Sequence, residues 1–131
     1  MEGLEYDYIK GFPKDVIEYL ERSLSQYMAN HEEVKVGITG NPEQRFAKYR
    51  TEGWHRMVVK YMSSSEKFVN FIEDYFIKTR PNLKNIWVGT SHLTGDEYYL
   101  YFVMDLSELA QLKSKSTTLQ EYVKKQLKQN E

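Results

Sequence analysis

A small α+β domain, with a mostly antiparallel sheet flanked by helices around one shared hydrophobic core, is the fold class this sequence predicts. Three observations lead there. A length of 131 residues suits one domain. Apolar residues make up 40% of the chain and aromatic residues 15%, enough for a core and too much for a disordered chain. The apolar pattern also switches repeatedly between the alternation of a strand and the three-to-four-residue step of a helix.

Taken in order, Leu4 to Ile9 alternates loosely and reads as a short edge strand, ended by Gly11 and Pro13. Residues 14–30 read as a helix, with Val16, Ile17, Leu20, Leu24, Tyr27 and Met28 on one face. Val34 to Thr39, rich in β-branched residues, reads as a strand. Asn41 is placed to cap the next helix, Pro42 fits its first position, and Gln44 completes a capping-box pattern. That helix is expected to run to about Tyr49. Met57 to Tyr61 is the next strand, with a start as early as Trp54 as an alternative. A serine from 63–65 caps a helix striped by Phe68, Val69, Ile72, Tyr75 and Phe76 and stopped by Pro81. Asn85 to Gly89 is a short strand candidate, 90–95 a polar loop, and Glu97 to Met104 an aromatic strand. Residues 114–131 are expected to form a lysine-rich terminal helix capped by Thr117 or Thr118.

Composition removes several functions. Without cysteine there are no disulfides, thiolate metal sites or cysteine nucleophiles. No segment has the length and apolarity of a membrane span, and the start lacks the pattern of a secretory leader, so an intracellular protein is expected. No glycine-rich phosphate loop or dinucleotide fingerprint is present. A net charge of −1 weighs against broad non-specific nucleic-acid binding but leaves room for a local basic cleft. His31, His55 and His92 lack metal-ligand spacing.

The informative stretch runs from Lys35 to Arg45: strand, glycine turn, capped helix. Gly37 inside a strand points to close approach by another group. Arg45 stands on a rigid element, where its planar fork suits a phosphate. Glu73 flanks an apolar stripe, where a carboxylate suits a hard divalent cation.

In this order and spacing, Lys35-Val36-Gly37-Ile38-Thr39, Arg45, Glu73 and Asn85 with Gly89 close behind resemble the GIY-YIG nuclease superfamily. The resemblance implies one GIY-YIG-like domain over 1–131, with 14–30 an added or inserted helix. It implies metal-dependent phosphodiester hydrolysis of DNA or another nucleic acid, with Mg2+ at Glu73 and phosphate charge met by Arg45. Asn85 would orient structure near the metal. Two features depart from the family: Lys35 stands where its second motif has tyrosine, and no Gly-Ile-Tyr precedes it. One arrangement pairs Leu4–Ile9 with the strand at Val34, making Tyr6 or Tyr8 the water-activating candidate. The other pairs Glu97–Met104 with it, making Tyr99 or Tyr101 the candidate. The expected catalytic set is Arg45, Glu73, Tyr8 and Lys35. A catalytically inactive nucleic-acid-binding or protein-interaction domain that retains the fold is the alternative.

Overall fold

The computed structural model describes residues 1–85 and 93–107. The expected strand beyond Asn85, with Trp87 and Gly89, lies outside the described residues, as do His92 and the lysine-rich helix 114–131. Within them the elements are β1 (Leu4–Ile9), α1 (Pro13–Asn30), β2 (Val34–Thr39), α2 (Pro42–Thr51), β3 (Arg56–Ser63), α3 (Glu66–Thr79) and β4 (Tyr98–Met104).

The four strands form one sheet in the order β1-β3-β4-β2. β4 runs antiparallel to both β2 and β3, while β1 and β3 are parallel. The expected mixed α+β fold with a mostly antiparallel sheet is therefore present. One expected pairing is not: β1 does not partner β2. The reason lies in side-chain polarity. Leu100 to Met104 are buried on both faces, so β4 fits only the sheet interior. β1 exposes Glu5, Tyr6, Asp7 and Tyr8 and tolerates an edge. Glu5 pairs with Arg56 and Asp7 with Lys60, both on β3, which fixes β1 beside that strand.

The helices take opposite sides. Val16, Leu20 and Leu24 of α1 and Val69, Ile72 and Phe76 of α3 pack on one face, against Val34, Val36, Ile38, Leu100, Phe102 and Met104. Phe46 and Tyr49 of α2 pack on the other, with Trp54, Met57, Val59, Tyr101 and Val103. The sheet thus separates two cores where the sequence suggested a single shared one. Alternating strand residues point to opposite faces, and β4 is apolar at both sets of positions.

Local signals set the element ends. Asn41 caps α2 by accepting the Gln44 backbone N–H at 3.1 Å, and Pro42 opens the helix. The capping box is only half made, because the Asn41 N–H donates to Thr39 Oγ1 at 3.0 Å instead of to Gln44. Ser65 caps α3. α1 has no side-chain cap and starts on Pro13, one residue before its expected start.

Candidate functional site

β2 is the edge strand around which the expected site residues gather. Alternation sends Val34, Val36 and Ile38 to the α1/α3 core and leaves Lys35, Gly37 and Thr39 on the α2 side. Lys35 is half-buried, and its Nζ stands 5.3 Å from the centre of the Tyr49 ring. Arg45, in the first half of α2, lines a polar cleft of about 440 Å³ with Thr39, Asn41, Gln44, Lys48 and Thr94. Glu73 projects from α3, whose buried face lies across the sheet from α2.

Although α2 and α3 lie on opposite faces, Lys35 on β2 and Arg45 on α2 both act electrostatically on Glu73. Burial pushes the Glu73 carboxyl up to about 7, and neighbouring Asp74 adds to the rise; Lys35 and Arg45 pull it back down. Such a group is poised to exchange a proton near neutral pH.

Gly37 makes room for a second group. It pairs with Tyr101 of β4, and a Cβ built on Gly37 would fall inside the van der Waals envelope of the Tyr101 hydroxyl and ring. The close approach expected at this glycine is therefore made by a tyrosine. Tyr101 Oη shares a 2.8 Å hydrogen bond with Tyr49 Oη. Burial holds the Tyr101 phenol well above its usual range; Tyr49 and Glu73 add to the rise, and Arg45 opposes it. Tyr101 is thus held neutral, able to relay a hydrogen bond but not to act as a phenolate base.

The expected Tyr8 is not part of this group. It sits on β1, at the sheet edge opposite β2, and its ring meets Tyr99 edge-on with centroids 6.2 Å apart. The cause is the β1–β3 pairing described above. Asn85 is bonded to β2. Its Oδ1 accepts the Val36 N–H at 2.9 Å, and its Nδ2 donates to the Val36 carbonyl at 2.7 Å. Lys84 N–H donates to the Val34 carbonyl at 2.9 Å, so residues 84–85 brace β2 on the side away from β4. Asn85→Ala should destabilise the fold by about 2 kcal/mol, at about 1 kcal/mol per lost bond. It should also speed hydrogen exchange of the Val36 amide. Unchanged exchange would show that β2 holds its place without this brace.

Sequence reasoning missed Tyr49 and Lys48. Both follow from Arg45, since positions three and four residues later share its side of a helix. Trp54 belongs to the core and is not open for stacking. His31 is tied to the Tyr27 carbonyl and to Asp105, and His55 is exposed. A larger cleft, about 590 Å³, lies between α1 and α3, lined by residues such as Phe12, Ile17, Phe68 and Phe71. Its walls are apolar, and it includes none of the groups around β2. Among the described residues no helix is long and apolar enough to cross a membrane. No family model matches the sequence, and no curated protein or solved structure gives a significant match.

Proposed function

We propose that this chain is a divergent GIY-YIG-like nuclease that hydrolyses nucleic-acid phosphodiesters with the help of a divalent cation. One arrangement carries the reading: Lys35 of β2 and Arg45 of α2 both act on the Glu73 carboxyl of α3. The pairing of β2 with β4 favours the second arrangement of the family's hairpin, which offers Tyr99 or Tyr101 in place of Tyr8, and of these Tyr99 is the one not fully buried.

The donor set fits a cation in a limited way. Among the described residues no group of three or more His, Asp or Glu side chains comes together. A single carboxylate suits a magnesium ion that keeps most of its waters and takes other ligands from substrate phosphate. Glu73 would hold that ion, which when bound supplies charge to the scissile phosphate and the leaving oxygen.

The chain's own groups do the rest. The Arg45 fork binds phosphoryl oxygens and balances their developing charge. Lys35 adds a point charge and helps keep Glu73 ionised. The Tyr49–Tyr101 bond holds the buried Tyr101 hydroxyl against Gly37, beneath the strand that carries Lys35. Whether Glu73 serves as ligand or proton acceptor, it must be ionised. Cleavage should therefore rise with pH along a limb centred near 7, and saturating magnesium should move that limb lower by competing with the proton. Single-turnover rates from pH 5 to 9 at two magnesium concentrations test this. A flat profile contradicts it.

The decisive experiment is magnesium-dependent cleavage of a DNA and RNA panel by the wild-type protein, Arg45→Ala and Glu73→Ala. Each substitution should lower the rate by about 100-fold or more. Equal cutting by all three would mean contamination or another site. The second reading, a catalytically inactive binding domain, is favoured by the burial and neutrality of Tyr101. Binding without cutting would select it.

A further inference from the structure

Tyr6 and Tyr8 of β1 have no part in the reading above, yet with Tyr99 of β4 they share a sheet face with α2. That helix has only ten residues, and its apolar anchors Phe46 and Tyr49 cover Met57, Val59, Tyr101 and Val103. Beyond them, towards the C-terminal ends of β1 and β2, the face carries Tyr6, Tyr8 and Tyr99. Tyr6 is 50% exposed and Tyr8 40%, unusual for large rings on a sheet. Tyr8 and Tyr99 meet edge-on, and Tyr6 precedes Tyr8 by two positions on β1.

This face lies close to the polar cleft. Tyr99 pairs in register with Thr39, which lines the cleft beside Arg45 and Lys48. The Phe46 ring of α2 reaches Gly3 just before β1, so the helix lies over the β1 side of this face, and Glu43 in its first turn adds to the rise that burial causes in the Tyr6 phenol. Glu43 and Arg45 are two positions apart and face roughly opposite ways around the helix. The tyrosines and the Arg45 cleft therefore flank the first turn of α2 on its two sides.

We infer that Tyr6, Tyr8 and Tyr99 form a stacking platform for unpaired bases of a single-stranded nucleic acid whose backbone crosses the first turn of α2 to reach Arg45 and Lys48. The inference rests on the nucleic-acid reading above and names its substrate class. Phosphates find cations on the cleft side and the positive end of the α2 dipole between. On the platform side, Glu43 and Glu97 repel phosphates, and Glu97 fixes Tyr99 by accepting its hydroxyl at 3.0 Å. Bases, uncharged and flat, are the part of the polymer that this face can take. A duplex keeps its bases stacked inside and cannot offer them.

The test is fluorescence anisotropy in EDTA, which prevents cutting, with three labelled probes of equal length. These are single-stranded oligothymidylate, the same backbone carrying abasic spacers, and a duplex. Oligothymidylate should bind at least 10-fold more tightly than the abasic strand. Tyr6→Ala and Tyr8→Ala should each weaken it about 5- to 100-fold while leaving abasic binding unchanged, and Tyr8→Phe should retain affinity. Equal binding of all three probes, weakened by Arg45→Ala but not by the tyrosine changes, would overturn the platform and leave the phosphodiester reading standing. Absence of binding to every probe would overturn the platform, while the magnesium-dependent cleavage panel decides the phosphodiester reading separately.

Discussion

Glu73→Gln is expected to stabilise the protein by about 3 kcal/mol at pH 8 and to change little at pH 4. The sign follows from the direction of the shift. In the unfolded chain the carboxyl titrates near its ordinary 4.5, whereas in the folded protein burial raises it to about 7. Between those values the folded state keeps a proton that the unfolded state releases, so stability falls as pH rises through the window. Above the folded value the full penalty is present. At about 1.4 kcal/mol per unit it amounts to about 3 kcal/mol. The attraction of Lys35 and Arg45 is already contained in that net value. Glutamine keeps the shape without the charge and escapes the penalty. Urea denaturation at pH 4, 6 and 8 measures the difference, and a carboxyl NMR titration follows the group directly. Parallel curves for both proteins at all three pH values would mean that Glu73 ionises in the fold as freely as in water. A gain of stability together with loss of cleavage would be the mark of a group retained for chemistry at the expense of the fold.

Local chemistry was well written in the sequence, and long-range placement was not. Asn41 with Pro42, and the serine before Glu66, announced helix starts because capping needs only neighbours within three residues. The stripes of α1 and α3 were legible for the same reason. The sheet order was not, because it depends on pairs far apart in the chain. Lys60 illustrates this. A lysine in a strand reads as surface, yet its side chain is 3% exposed. Its ammonium donates to Asp7 at 2.8 Å and to Tyr19 at 2.9 Å, partners about 50 and 40 residues away. Burial pulls its pKa down, but those two hydrogen bonds and nearby charges outweigh it and leave a net rise, so the ion stays paired and charged. The edge that Tyr8 occupies is illegible for the same reason, since only the β1–β3 register reveals it. At the site, residue types were readable, but the electrostatic reach of Arg45 to Glu73 depends on where α2 and α3 sit against the sheet.

Gly37→Ala should destabilise the protein by about 3 kcal/mol, against the usual rule. In an ordinary strand, alanine for glycine removes chain entropy from the unfolded state and helps by up to about 1 kcal/mol. Gly37 does not lie among the residues with left-handed backbone, so conformation gives it no special claim to the position. The obstacle is space. The new methyl would collide with the Tyr101 ring and hydroxyl inside a buried cluster, where overpacking costs about 1–3 kcal/mol. Moving Tyr101 aside would also break its bond to Tyr49 and leave buried hydroxyls unpaired, which adds about 1–3 kcal/mol. A second substitution separates this cause from any other. Tyr101→Leu shortens the side chain and vacates the space over Gly37, so Gly37→Ala made in that background should be neutral or mildly stabilising. The double-mutant cycle should then show a coupling of about 3 kcal/mol, as expected for residues in direct contact. Additive effects would mean that the glycine is needed for something other than the tyrosine. The same pair bears on function: if cleavage needs the Tyr101 hydroxyl against Gly37, the double variant will regain stability without regaining cleavage. A stable, correctly folded double variant that cuts as fast as the wild type would remove Tyr101 from the mechanism and leave Lys35, Arg45 and Glu73 to act without it.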